Sequence, residues 1–178
     1  GNHADVLKHL VLVALLDALK RKDAPFFVLD THAGRGRYDL RGEQARRTGE
    51  AASGFVRLRE AKPAGPPALR AYLDAVAECD PGEAGSYPGS PLLVAHALRD
   101  QDRLAACELQ PDEAAALKAV LAGDPRCHVH NRDGYAAVKA LLPPREGNTR
   151  FARGLVLIDP PYEAQEGEYA PIVAALRE

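Results

Sequence analysis

Methionine and tryptophan are absent from this sequence, and cysteine is scarce. The three cysteines, Cys79, Cys107 and Cys127, stand far apart and none belongs to a C-x-x-C pair. This excludes zinc-binding and redox spacings, and leaves small buried hydrophobes in a reducing compartment as the expected role. No apolar run approaches the ~18 residues of a membrane span, and no signal peptide is visible, so a cytoplasmic protein is expected. Nor is there a global basic field. The net charge is −2, so any nucleic-acid surface must be a local patch. The histidines form no set with metal-ligand spacing. His3 and His9 read as polar-face residues of a helix, His96 lies in a helical stretch without motif support, and His128 and His130 alternate on a strand. No metal site is expected.

What is present is an ordinary globular composition, 46% apolar and 27% charged over 178 residues, enough for one domain with a small insertion. The sequence begins at Gly1 without a methionine and ends at Glu178 inside a helical pattern, so a longer protein is expected to extend at both ends. Val6, Leu7, Leu10, Val13, Leu16 and Leu19 recur at helical spacing, and Lys20, Arg21 and Lys22 close that helix with charge suited to its dipole. Four short apolar runs follow: PFFVLD (25–30), RLAACEL (103–109), RCHVHN (126–131) and GLVLID (154–159). Helical patterns at 111–123 and 134–142 separate the later ones. Strands alternating with helices imply βαβ units and a parallel sheet, with ligands beyond the carboxyl ends of its strands.

The interval between the first two strands is too long for a plain βαβ unit. YPGSPLLVAHALRD (87–100) reads as the helix owed to the first strand, with Ser90 as N-cap and Pro91 as first helical residue. Residues 40–88 then form an inserted small helical subdomain, and 1–39 with 89–178 form the main domain. Residues 35–62 hold eight Arg or Lys against four acids. A solvated helix face and a phosphate-backbone contact explain that excess equally well. Arg35, Arg37, Arg46 and Arg47 are the candidate phosphate contacts.

The strand ends carry the chemistry. DTHAGRGRY (30–38) follows the first strand, and Gly34 and Gly36 let the backbone turn tightly and approach a ligand. The third glycine of the dinucleotide fingerprint is replaced by Asp39, which weakens an NAD reading, and the Gly-Lys-Ser/Thr of a P-loop is absent. Glu108, closing the second strand, can accept both hydroxyls of a ribose or be a solvated strand end. Asp133 can accept from an adenine amine beside Gly134, although Asp-Gly is also a common turn.

The order of a glycine loop, a ribose acid, an adenine-side acid and a final loop at successive strand ends resembles the class I S-adenosylmethionine-dependent methyltransferases. DPPY (159–162) resembles their amino-methyltransferase signature. In such a loop Asp159 and the carbonyl of Pro160 would each accept one N–H of an exocyclic amine. Tyr162 would stack on a flipped base, and the two prolines would keep the loop stiff. A Pro-rich turn after a strand is the alternative.

The resemblance narrows further. GNHADVLKH (1–9), LDTHAGRGRY (29–38), RTGE (47–50), YPGSP (87–91) and LIDPPYE (157–163) closely resemble the RlmJ-type family of 23S ribosomal RNA adenine-N6 methyltransferases, nearly end to end and in order. This implies an α/β, Rossmann-like class I methyltransferase fold with a parallel sheet flanked by helices and a small helical insertion after the first strand. It implies S-adenosylmethionine as cofactor, S-adenosylhomocysteine as product and no metal. Lys8 and His9 match the entry segment beside the cofactor, and His32 and Ser90 match cofactor contacts. Glu108, Asp133 and Gly134 would hold its ribose and adenine, and Asp159 is the catalytic carboxylate. The implied partner is 23S rRNA, free or in an early assembly intermediate, met by a monomer with no membrane partner. The family continues upstream of Gly1 with an aromatic and basic segment, and continues past the catalytic loop with the strands that complete its sheet. The stretch 145–152 reads as a surface loop. Amino-methyltransferases acting on DNA adenine or a protein glutamine share the catalytic loop, and a non-catalytic RNA-binding relic is the third possibility.

Overall fold

A computed structural model describes residues 3–40, 55–61, 65–79, 85–161 and 165–177. In chain order its elements are α1 (His3–Lys20), β1 (Phe27–Asp30), β2 (Arg37–Asp39), α2 (Phe55–Ala61), α3 (Pro67–Cys79), β3 (Ser86–Pro88), α4 (Ser90–Ala97), β4 (Arg103–Glu108), α5 (Pro111–Val120), β5 (Cys127–Asn131), α6 (Gly134–Leu141), β6 (Arg145–Glu146), β7 (Thr149–Arg150), β8 (Gly154–Leu157) and α7 (Gln165–Leu176). They divide into two compact units, residues 1–21 with 37–97 and residues 22–36 with 98–178.

The second unit holds a four-stranded sheet in the order β5-β4-β1-β8, parallel throughout. Burial falls from the centre outward. All of β1 and the middle four residues of β4 are buried, whereas β5 and β8 are only partly covered. The apolar runs without alternation are those of strands covered on both faces. Phe27 and Leu29 of β1 and Ala105 and Cys107 of β4 share one face, packed with Ala137 and Val138 of α6, Ala175 of α7 and Phe151. The small side chains of β4 let helices approach closely. Helix α5 packs on β4 and β5 with Ala114 and Leu117 buried.

A buried carboxylate sets where β1 begins. Asp102 is fully buried and accepts from the backbone N–H groups of Phe26 (2.9 Å) and Arg99 (2.9 Å) and from Arg99 Nε (2.8 Å). The same guanidinium donates to the carbonyls of Lys22 and Ala24 and lies 5.5 Å from the Phe26 ring centre. Burial pushes the Asp102 carboxyl up, but the Arg99 guanidinium and the two backbone donors outweigh it and hold it below the usual value.

In the first unit α1 buries His9, Leu12, Val13 and Leu16, one face at helical spacing. Leu12 and Leu16 are 2% and 0% exposed, each contributing about 1.5–3 kcal/mol. The short strands β2 and β3 pair antiparallel, Tyr38 opposite Tyr87. No periodicity in the sequence announced that pair, since neither strand exceeds three residues.

Two readings need correction. Helix α4 starts at Ser90 itself. The Gly89 carbonyl accepts from the N–H groups of Leu92 and Leu93, so Gly89 is the capping residue and Ser90 lies within the first turn. The stretch 145–152 is not all surface loop. Residues 145–150 form an exposed hairpin, and Phe151 turns back into the core, 5.8 Å from the Phe27 ring.

Candidate active site

The sheet register aligns the carboxyl ends of all four strands. Asp30 lies opposite Leu157 and Ala106, and Glu108 opposite Asn131. From β1 the chain goes to β4 and β5 on one side, and it returns to β8 on the other. The strand order therefore reverses at β1, which makes a topological switch point.

The loop after β1 crosses this edge. Thr31 N–H donates to the Leu157 carbonyl (3.0 Å), and Ala33 N–H donates to the Cys107 carbonyl (2.9 Å). Gly34 and Gly36 have φ of 62° and 80°, in the left-handed region that glycine enters without strain. Gly34 N–H donates to Glu108 Oε2 (2.9 Å), and Gln110 N–H donates to Oε1 (2.7 Å). Each carboxylate oxygen is thereby oriented by one backbone donor and keeps a further lone pair, which suits a pair of vicinal hydroxyls. Beyond β5, Asp133 caps α6, its Oδ1 accepting from Ala136 N–H (2.7 Å). A Cβ on Gly134 would lie 2.0 Å from the Thr31 carbonyl oxygen, so only glycine fits where α6 meets the loop. Asp159 follows two residues after the end of β8 on the same edge. These residues fit a nucleoside-bearing ligand: an oriented carboxylate, a loop of close backbone approach and a helix start packed directly against that loop at Gly134. Among the described residues no cluster of His, Cys, Asp and Glu could hold a metal ion.

In the first unit His9 is not a polar-face residue. It is 3% exposed, stacked on Tyr87 with ring centres 5.5 Å apart, and its Nδ1 lies 2.8 Å from the Tyr87 hydroxyl. Tyr87 in turn meets the Tyr72 hydroxyl at 2.9 Å. Burial, and secondarily Lys8, drives the imidazole down to about 3, so His9 is neutral. Burial pushes Tyr72 up to about 12 and Tyr87 higher still. His9 Nε2 is buried without a hydrogen-bond partner among the described residues.

The family model described as "Ribosomal RNA large subunit methyltransferase D, RlmJ" matches residues 23–178. The chain belongs to the RlmJ family. Ribosomal RNA large subunit methyltransferase J of Escherichia coli K12 is 44% identical over 179 aligned positions, covering all of this chain and 61% of that protein. The protein of the same name from Haemophilus influenzae is 42% identical, with 62% of its length covered. A crystal structure of a Legionella pneumophila protein, titled with the DUF519 family model, is 38% identical with a TM-score of 0.86, over 99% of this chain and 63% of that one. The chain thus spans about three fifths of the length of these relatives. The Rossmann-like methyltransferase fold expected from the sequence is the fold observed.

Of the residues marked by the RlmJ motifs, the second unit holds His32, Gly34, Gly36, Glu108, Asp133 and Gly134 in the segments at the carboxyl ends of β1, β4 and β5, and Asp159 and Pro160 in the segment that follows β8. Lys8, His9 and Ser90 belong to the first unit, where Lys8 pairs with Asp5 (3.1 Å) and Ser90 is buried. Tyr162, Arg46 and Arg47 lie outside the described residues. Arg35 forms a two-point ion pair with Glu113 of α5 (3.0 and 2.9 Å), and Arg37 donates to the Cys79 carbonyl (3.3 Å). Sequence reasoning overlooked Thr31, which is 1% exposed and joins β1, β8 and α6. Its one signal was its place between the strand-ending Asp30 and His32.

Proposed function

We propose that this chain is the catalytic part of an S-adenosylmethionine-dependent methyltransferase acting on N6 of a specific adenine of 23S ribosomal RNA. It would act in the cytoplasm, as a monomer, on free RNA or an early assembly intermediate. The observation that carries the reading is the gathering of Gly34, backbone-oriented Glu108, Gly134 and Asp159 along one sheet edge around the switch point. Membership of the RlmJ family supports the substrate class, since the relatives are named for the large-subunit ribosomal RNA.

In this reading Glu108 accepts from the ribose hydroxyls of the cofactor, and Asp133, beside Gly134, accepts from its adenine amine. His32, Gly34 and Gly36 line its approach, with Lys8, His9 and Ser90 assigned by family position. S-adenosylmethionine, when bound, supplies an electrophilic methyl carbon. Asp159 and the Pro160 carbonyl each accept one N–H of the target amine, so its nitrogen lone pair is freed from the ring and held in one direction. Tyr162 stacks on the flipped base. Asp159 does not deprotonate the neutral amine, whose pKa is far too high. It orients the amine and stabilises the positive charge that develops, with proton loss during or after transfer. Arg35, Arg37, Arg46 and Arg47 are the RNA-side candidates, and residues 40–88 form the inserted subdomain.

The test is a labelled-methyl assay with the full-length protein on naked 23S rRNA, on DNA and on protein, with mass spectrometry of the product nucleoside. Labelled N6-methyladenosine in the RNA is expected. Transfer to DNA or protein alone, or no transfer despite cofactor binding, would refute the reading.

A further inference from the structure

The side chain of Asn131 reaches across the sheet edge to the chain leaving β4. Its Nδ2 donates to the Glu108 carbonyl (2.8 Å) and to the Leu109 carbonyl (2.9 Å). Both partners can only accept, so the amide has one orientation. Flipped, it would set Oδ1 against two carbonyl oxygens at those distances. Asn131 is the last residue of β5 and stands opposite Glu108, the last of β4. Arg132 N–H also donates to the Glu108 carbonyl (3.1 Å). The amide adds one further rung to the ladder, on Leu109, where the two backbones part. Only Leu109 and Gln110 separate β4 from Pro111, the first residue of α5. Gln110 takes the capping position without a side-chain cap, and Leu109 is 60% exposed. The turn between them is a single peptide group. Its carbonyl, that of Leu109, is held by Asn131, and its N–H, that of Gln110, donates to Glu108 Oε1 (2.7 Å). A peptide group is planar, so fixing the direction of its carbonyl fixes the direction of its N–H.

We infer that Asn131 is a positioning residue for Glu108: by holding the Leu109–Gln110 peptide it aims the Gln110 N–H at Oε1 and so sets the carboxylate that receives the cofactor ribose. This rests on the assignment of Glu108 to that ribose. The other oxygen, Oε2, is held from the glycine loop by Gly34 N–H (2.9 Å). The carboxylate is thus fixed from two sides, and Asn131 governs one of them. In this scheme Asn131 touches neither cofactor nor substrate and acts only through Glu108. Such preorganisation favours binding because the carboxylate does not have to be ordered when the ligand arrives.

The experiment uses the full-length protein, with a thermal melt to confirm that each variant folds. Amide hydrogen exchange, read by NMR without ligand, follows the Gln110 N–H. In Asn131→Ala its exchange should quicken about tenfold, the scale of one hydrogen bond. Calorimetry with S-adenosylhomocysteine should show a similar loss of affinity, and the KM for S-adenosylmethionine should rise with little change in kcat. Asn131→Asp keeps the shape but turns an acceptor oxygen towards the two carbonyls, so its affinity should fall at least as far. The deciding measurement is the double variant. Asn131→Ala combined with Glu108→Ala should bind no more weakly than Glu108→Ala alone, because a residue that acts through Glu108 has nothing left to position. A direct contact with the ligand, or a general loosening of the edge, would add its own loss. Wild-type exchange at Gln110 in Asn131→Ala, wild-type affinity in Asn131→Ala or Asn131→Asp, or additive losses in the double variant would overturn the inference. A Glu108→Ala protein that binds like wild type would instead sink the ribose assignment, while the exchange of the Gln110 amide would still decide whether Asn131 orients the carboxylate.

Discussion

Replacing Glu108 by alanine should weaken binding of S-adenosylhomocysteine by about two to four orders of magnitude. Each ribose hydroxyl donating to an ionised carboxylate contributes about 1.5–3 kcal/mol, so losing two costs about 3–6 kcal/mol. Gly34 N–H and Gln110 N–H also lose their acceptor, and the glycine loop loses one of the two bonds that tie it to β4. Those donors lie at an open sheet edge where water can replace the carboxylate, so folding stability should fall by no more than about 1–2 kcal/mol. Glu108→Gln separates the two contributions. It keeps one acceptor oxygen, but its NH2 group must face either a backbone N–H or a hydroxyl it cannot serve. A loss of about 10- to 100-fold is expected. Isothermal calorimetry with the full-length protein reads affinity, and a thermal melt beside it confirms that both variants fold. If alanine binds within about threefold of wild type while still folded, the carboxylate does not hold the ribose.

Asp159→Ala should lower methyl transfer to RNA by orders of magnitude while calorimetric cofactor affinity changes modestly; near-normal turnover would remove Asp159 from catalysis. Gly134→Ala forces a Cβ against the Thr31 carbonyl, so α6 or the loop must shift, and a melting loss of about 1–3 kcal/mol with weaker cofactor binding is expected. An unchanged melt would show that the junction is not close-packed. Asp102 gives a pH prediction. Its carboxyl is held below the ordinary value, so its contribution is fully present above the unfolded pKa and is lost as pH falls through the folded one. Asp102→Asn should cost about 3–5 kcal/mol at neutral pH and flatten stability against pH below about 4, read by denaturant titration. A variant that retains the wild-type acid slope would refute this.

The sheet was legible because its strands are short runs separated by helical patterns, and its two central strands, β1 and β4, are apolar runs that end in acids. Glu108 and the glycine loop were legible for the same reason, each lying at a strand end where the fold exposes chemistry. The short pair β2 and β3 was not legible, because three residues carry no period. The burial of His9 was not legible either, since the hydroxyls that accommodate it come from Tyr87 and Tyr72, distant in sequence. Phe151 was not legible as a core residue, because the ring it packs on, Phe27, is distant in sequence. Thr31 was missed because its importance lies in three backbone and side-chain contacts that no residue pattern encodes.

The pairing of Arg35 with Glu113 bears on ionic strength. A guanidinium paired with a neighbouring carboxylate must give up that partner before it takes a phosphate, so it displaces fewer condensed cations from a polynucleotide than an unpaired one. Arg37 donates to the Cys79 carbonyl and reaches the Ser86 hydroxyl, neutral partners that orient its guanidinium but leave its charge in place. With Arg35 paired, the formal excess of Arg and Lys between residues 35 and 62 overstates the number of counterions an RNA would release there. The added-salt sensitivity of that contact should be shallower than the formal charge alone suggests.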